Sequence, residues 1–192
     1  MAFTDYLDLR IAVSEYSGKR IETDVFQRLV TQAETRLNRK LRHQKMISTA
    51  TVTMSSGVGS LPTDFQEMLS VFVAKYQLLS EPLLKVQNGS VSGYSIAGGS
   101  LYIYGSDASQ AITYYAKLAT ITTSVGTTNW LLSDGPDVYL YAVGLELAKF
   151  YRDNDLISRA EQDLAGAMME LKVDGERAQW SNARVRMAGQ TP

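Results

Sequence analysis

TNWLLSDGPDVYLYA, Thr128 to Ala142, is the stretch on which the fold turns. Trp130, Leu131 and Leu132 close a polar run, and Ser133-Asp134-Gly135-Pro136 then turns the chain. Pro136 suits the first position of a helix, with Ser133, Asp134 or Gly135 as its cap. The helix that follows is expected to run to about Arg152. From Val138 to Tyr151 its polar interruptions are few: Gly144, Glu146 and Lys149. A helix apolar on nearly every side has neighbours on more than one side, so this one is central. No catalytic residue type accompanies the Trp-Leu-Leu run.

Working outward, the chain reads as helices flanking a β region. Of 19 basic and 20 acidic residues, only Asp64, Glu67, Lys75, Glu81, Lys85, Asp107 and Lys117 fall between Met46 and Gly126. That sparse middle is rich in Ser, Thr, Gly, Val and Tyr. The runs 47–54, 69–75 and 111–118 read as strands, and 93–105 as a hairpin about Gly98-Gly99. LPTDF, Leu61–Phe65, marks a turn. Four or five strands in a small antiparallel sheet or sandwich are expected.

Upstream, the first helix is expected to start with Thr4 as cap, to bury Leu7, Ile11 and Tyr16, and to stop at Gly18. A second helix is expected from Asp24 to His43, burying Phe26, Leu29, Val30, Ala33, Leu37 and Leu41. Downstream, Ala160, Leu164, Ala167, Leu171, Gly175 and Ala178 form a small-residue seam suited to close helix contact. The fold class is therefore α+β, a helical bundle carrying an inserted antiparallel β domain. Residues 1–45 and 127–180 make the bundle, 46–126 the insert and 181–192 a C-terminal arm.

Composition excludes several functions. Hydrophobic residues make up 45% and charged ones 20%, and the formal net charge is −1. That balance suits a globular protein rather than a general nucleic-acid binder. No apolar run reaches the roughly 18 residues of a membrane span. The start MAFTDYLDLR lacks the basic region of a secretory signal. The chain has no cysteine, which removes disulfides and thiolate metal sites and fits a reducing cytoplasm or a particle assembled there.

Enzyme signals are sparse, and no cofactor is implied. His43, the single histidine, lies in RLNRKLRHQK with no acid and nucleophile beside it, and reads as a solvated helix-end residue. GVGS, Gly57–Ser60, lacks the Lys and Ser/Thr of a phosphate loop. Asp64, Glu67, Glu81 and Asp107 occupy the sheet region with nothing marking a catalytic pair. Arg36, Arg39, Lys40, Arg42 and Lys45 form a basic cluster. It reads equally as a solvated helix end favoured by the dipole and as a surface for an acidic protein or the DNA backbone. Eleven tyrosines and two tryptophans add residue types enriched at protein interfaces.

Four stretches carry a family likeness: FQRLVTQAETRLNRKLRHQKM (26–46), LPTDFQEML (61–69), the long run from Ala111 to Asn154, and MMELKVDGERAQWSNARVRM (168–187). Together, in this order and spacing, they resemble the head–tail adaptor (head-completion) proteins of tailed bacteriophages, in particular the podophage-like group. The resemblance implies a non-enzymatic virion protein forming a homo-oligomeric ring, usually a dodecamer. Such a ring docks on the portal protein and gives the tail or nozzle protein its attachment surface at the head–tail junction. Packaged DNA passes through its channel without sequence-specific binding, and no membrane is involved.

In those terms Trp180, Arg184, Arg186 and Met187 are candidates for portal binding, and Arg36, Arg39, Lys40, Arg42 and Lys45 for a partner or the DNA channel. Trp130, Leu131, Leu132, Tyr139 and Tyr141 are candidates for the subunit interface. The Trp-Leu-Leu run then either covers the N-terminal end of the central helix or enters the adjacent subunit. The alternative function is a carbohydrate- or receptor-binding accessory module of a phage tail, its Tyr-rich sheet stacking on sugars.

Overall fold

The computed structural model describes residues 3–73, 76–123 and 127–180, the last three without their side chains. In chain order the elements are α1 (Tyr6–Ser17), α2 (Thr23–Lys40), β1 (Ile47–Val52), β2 (Val58–Ser60), β3 (Phe65–Val73), β4 (Tyr76–Gln77), α3 (Leu83–Gln87), β5 (Tyr94–Ala97), β6 (Ser100–Ile103), β7 (Gln110–Ala116), α4 (Trp130–Asp134), α5 (Pro136–Tyr151) and α6 (Asn154–Trp180). They divide into a helical unit, residues 1–45 with 119–192, and a β unit, 46–118. The return to the helical unit falls at Ala119, earlier than the expected 127.

The helical unit is built around α5, which packs against α1, α2, α4 and α6. Its Val138, Tyr139, Ala142, Val143, Leu145, Leu147 and Ala148 are all buried, as a helix with few polar breaks requires. Pro136 opens it and Gly135 precedes it as cap. The small-residue seam of α6 is buried as well, at Ala160, Leu164, Ala167 and Leu171.

Three expectations change here. Asp5, not Thr4, caps α1; its carboxylate accepts from the amides of Leu7 and Asp8 at 2.8 and 3.1 Å. The face that α1 buries is Tyr6, Leu9 and Val13, while Leu7 and Ile11 stand 52% and 54% exposed. Apolar residues line both faces of this helix. Tyr6 decides between them, because its ring meets Phe26 edge-on at 5.1 Å and its hydroxyl donates to the Thr23 carbonyl at 3.3 Å. The helix α2 stops at Lys40, since Leu41 takes extended angles (φ −82°, ψ 129°). That bend directs Leu41 and His43 inward, and both are buried.

The β unit holds two antiparallel sheets, ordered β1-β7-β3-β4 and β2-β6-β5. The hairpin lies where the Gly-Gly pair placed it. Ala97 pairs with Ser100, and Gly98 and Gly99 both take positive φ, the geometry of a type I′ turn. Val52, Met54, Val71, Tyr94, Leu101, Ile103, Ile112 and Tyr114, drawn from both sheets, form one core. The short strands β2 and β4 and the helix α3 gave no readable pattern. Among the described residues no helix is long and apolar enough to cross a membrane.

Candidate functional site

The Trp-Leu-Leu run is a helix, not a loop. The Asn129 side chain accepts from the amide of Leu132 at 3.1 Å and caps α4. Leu131 and Leu132 are 0% exposed and Tyr139 likewise. These three belong to the chain's own core and have no surface left for a neighbouring subunit, which corrects that part of the interface expectation. Burying each leucine is worth about 1.5–3 kcal/mol to the fold. The run therefore covers the N-terminal end of α5. Trp130 remains half-buried beside the His43 ring, and half-buried Tyr141 lies 5.5 Å from Tyr16.

His43 is not solvated. Its ring stacks on Trp130 at 4.9 Å and 18°, and its Nδ1 accepts from the Lys45 amide at 3.2 Å. Gly175 of α6 closes over the ring, where a Cβ would meet His43 Cδ2 at 2.7 Å and Nε2 at 2.8 Å. Burial, then the neighbouring Lys45, holds its pKa below the ordinary 6.5. A histidine kept neutral in the fold stabilises it above the unfolded pKa and loses that contribution as pH falls through the lower folded value. Urea unfolding should therefore show an acid-side loss of stability below about pH 6.5 that His43→Gln lacks. Gly175→Ala should cost about 1–3 kcal/mol, although alanine is the better helix former. A rise in the melting temperature of that variant would refute the close packing.

The basic cluster is divided by the fold. Arg36 pairs with Glu146 of α5 at 2.8 Å and Lys45 with Asp134 at 2.6 Å. Arg42 Nη1 donates to the carbonyls of Asn38 and Leu41 at 3.0 and 2.7 Å, closing the helix end. Of the five, Arg39 and Lys40 are the two turned outward on α2 itself, both exposed.

A buried polar hub was invisible in the sequence. Glu34, which breaks no helical pattern, accepts from the Tyr139 hydroxyl and from the Ile121 amide at 2.9 Å. The Asn129 amide donates to the Ala119 carbonyl at 2.7 Å and towards the Tyr139 hydroxyl at 3.4 Å. Gln27 Nε2 donates to the Ile121 carbonyl at 3.1 Å. The segment after Ala119 is thus held to α2 and α5. Burial pushes the Glu34 carboxyl up, and burial with the facing carboxyl pushes the Tyr139 phenol far up. A second joint links α1 to α6, where the Tyr16 hydroxyl donates to Asp163 at 2.8 Å. Burial and that bond push its pKa up to about 12.

The carboxylates of the β unit have structural roles. Asp64 accepts from the Tyr114 hydroxyl at 3.0 Å and Asp107 from the Ser56 amide at 2.6 Å. Among the described residues no group of His, Asp or Glu is placed to hold a metal ion. Two adjoining hollows of about 450 and 310 Å³ share Ile103, Tyr104 and Gly105, with Tyr104 63% exposed between them. Arg184, Arg186 and Met187 lie outside the described residues. Trp180 ends α6, and its side chain lies outside them too.

A family model described as SU10 adaptor protein matches residues 4–188. No curated protein matches the chain. The match runs through both units, from the cap of α1 to beyond α6, and the adaptor family is structural. The chain belongs to the SU10 adaptor protein family, phage adaptors of the kind its sequence resembles.

Proposed function

We propose that this chain forms the adaptor ring of a phage head–tail connector. It docks on the portal protein, presents the attachment surface for the tail or nozzle protein, and lets packaged DNA pass without sequence-specific contact. The family match over residues 4–188 carries this reading. The fold supports it, because the polar groups of the helical unit serve packing joints such as Tyr16–Asp163 and Glu34–Tyr139. A closed ring needs two different surfaces on each subunit. Half-buried Trp130 and Tyr141 stand as contacts to a neighbour, exposed Arg39 and Lys40 as contacts to a partner or to the channel DNA, and Trp180, Arg184, Arg186 and Met187 as the portal clasp.

Mixing the purified protein with its cognate portal and imaging the product tests the reading. A ring of adaptor on portal, twelve subunits in the family's manner, is the expected result. Separate particles at every ratio would overturn it. Removing residues 181–192 is expected to leave the melting curve unchanged and to abolish portal binding. Full binding by the truncated chain would exclude the clasp.

One observation favours a second reading. Tyr104 stands exposed between two hollows, with Ser92, Ser106 and Asp107 on the rim of the larger. An aromatic face among hydroxyl and carboxylate groups suits a saccharide. Glycan binding that Tyr104→Ala removes, without portal binding, would reverse the order of the two readings.

A further inference from the structure

We propose that successive copies of the chain associate head to tail, the outer face of α6 of one seating on the basic face of α2 of the next. The inference deepens the ring reading and rests on it.

Opposite its buried seam, α6 carries a second series. Gln162, Gly166, Met169, Val173 and Glu176 recur at intervals of four, three, four and three, the spacing of one helix face. All five are exposed, Met169 at 70%. Gly166 is the telling member. Glycine is a poor helix former, yet a Cβ there would meet nothing within 4 Å. No neighbour within the described chain calls for a glycine at that point. A helix approaching closely from another molecule would.

Charge identifies the occupant. Between Asn154 and Arg177, α6 has six acids (Asp155, Glu161, Asp163, Glu170, Asp174, Glu176) against Arg159, Lys172 and Arg177. The pairs these make along the helix, Arg159–Asp163, Lys172–Glu176 and Arg177–Asp174, are 3.6–3.9 Å long and exposed. Such pairs hold weakly and rearrange readily. From Arg28 to Arg42, α2 shows the reverse: Arg28, Arg39 and Lys40 are exposed, and the single acid, Glu34, is buried. Beside them a cleft of about 360 Å³ between α2 and α5 is lined by Thr31, Gln32, Thr35, Arg36, Arg39 and Glu146. An acidic face with a projecting methionine and a basic face with a cleft are complementary, and both lie on one subunit. Two unlike surfaces that fit each other make a heterologous contact, which repeats around a closed assembly. The opposed charges guide the approach and set the register.

The test uses two full-length variants and the cognate portal. Glu170→Lys with Glu176→Lys makes both faces basic. Arg39→Glu with Lys40→Glu makes both acidic. Each variant alone is expected to assemble on the portal roughly tenfold or more less well than wild type at low salt. An equimolar mixture is expected to recover assembly, because the two alternate with every contact again complementary. Unfolding cannot produce that recovery, and circular dichroism of each variant checks its helices. Wild-type assembly by either variant alone overturns the inference. So does failure of the mixture when both are folded. If wild type itself forms no ring on the portal, the ring reading fails first and this contact falls with it.

Discussion

Gly59→Ala is expected to destabilise the β unit by about 3 kcal/mol or more. Gly59 sits in β2, buried and opposite Leu101 of β6. A Cβ at this position would lie 2.5 Å from Val52 Cγ1, 2.6 Å from Met54 Sδ and 2.8 Å from the Thr53 carbonyl oxygen. The methionine can swing aside, but the carbonyl is backbone and moves only if the strand does. Interiors this dense do not absorb a methyl group without displacement. Gly98→Ala is the control, since its Cβ would point into open space and only the left-handed backbone, φ +57°, is strained. About 1 kcal/mol is expected there. Both tryptophans lie outside residues 46–118. Tryptophan fluorescence therefore follows the helical unit, while amide hydrogen exchange along β7 follows the β unit. Unchanged exchange protection in Gly59→Ala would show that the strand yields more easily than its contacts imply.

The second large effect concerns Glu34. Its replacement by Ala leaves the Tyr139 hydroxyl and the Ile121 amide without an acceptor in a buried place. Each orphaned donor costs about 1–3 kcal/mol, so a total loss of about 3–5 kcal/mol is expected. Glu34→Gln keeps a carbonyl acceptor and should stay within about 1 kcal/mol of wild type. The pH dependence separates the two explanations further. Burial raises the folded carboxyl above its ordinary pKa of 4.5. The folded state therefore holds its proton where the unfolded chain has released it. The resulting contribution to stability is fully present below about pH 4.5 and disappears as pH rises through the folded value. The amide in Glu34→Gln has no proton to release in this range, so the slope should vanish from that variant's urea midpoints. An identical pH profile for wild type and Glu34→Gln would mean the carboxyl titrates normally. The sign is opposite to that of His43, whose contribution appears above about pH 6.5, so the two variants should flatten different limbs of one curve.

Much of the fold was legible because single residues with strong local preferences mark it. Pro136 after Gly135 opens α5, Gly18 with φ +65° closes α1, and Gly98-Gly99 turns the hairpin. What stayed hidden depends on partners distant in sequence. Leu7 and Ile11 have the same helical spacing as the residues that are buried, and only the Tyr6–Phe26 contact selects the face. His43 reads as a solvated helix end until Leu41 bends the chain and Gly175 arrives from α6. Glu34 is one acid in an amphipathic helix, and its donors stand 87 and 105 residues away. The interface candidates divide by the same logic. Leu131, Leu132 and Tyr139 serve the core of their own chain, while Gly166 and Met169, without a role in the sequence reading, are the ones left at the surface.

The β unit begins and ends on partners: Ile47 of β1 faces Tyr115 of β7, two adjacent strands of one sheet. An insert built this way leaves and rejoins its host at neighbouring points, so the host's own termini need not shift when the insert changes. Such a cassette can be traded for another of different length or chemistry while the helices around α5 stay as they are. A lineage of phages could in that way refit the part that meets a new neighbour and keep the part that holds copies together.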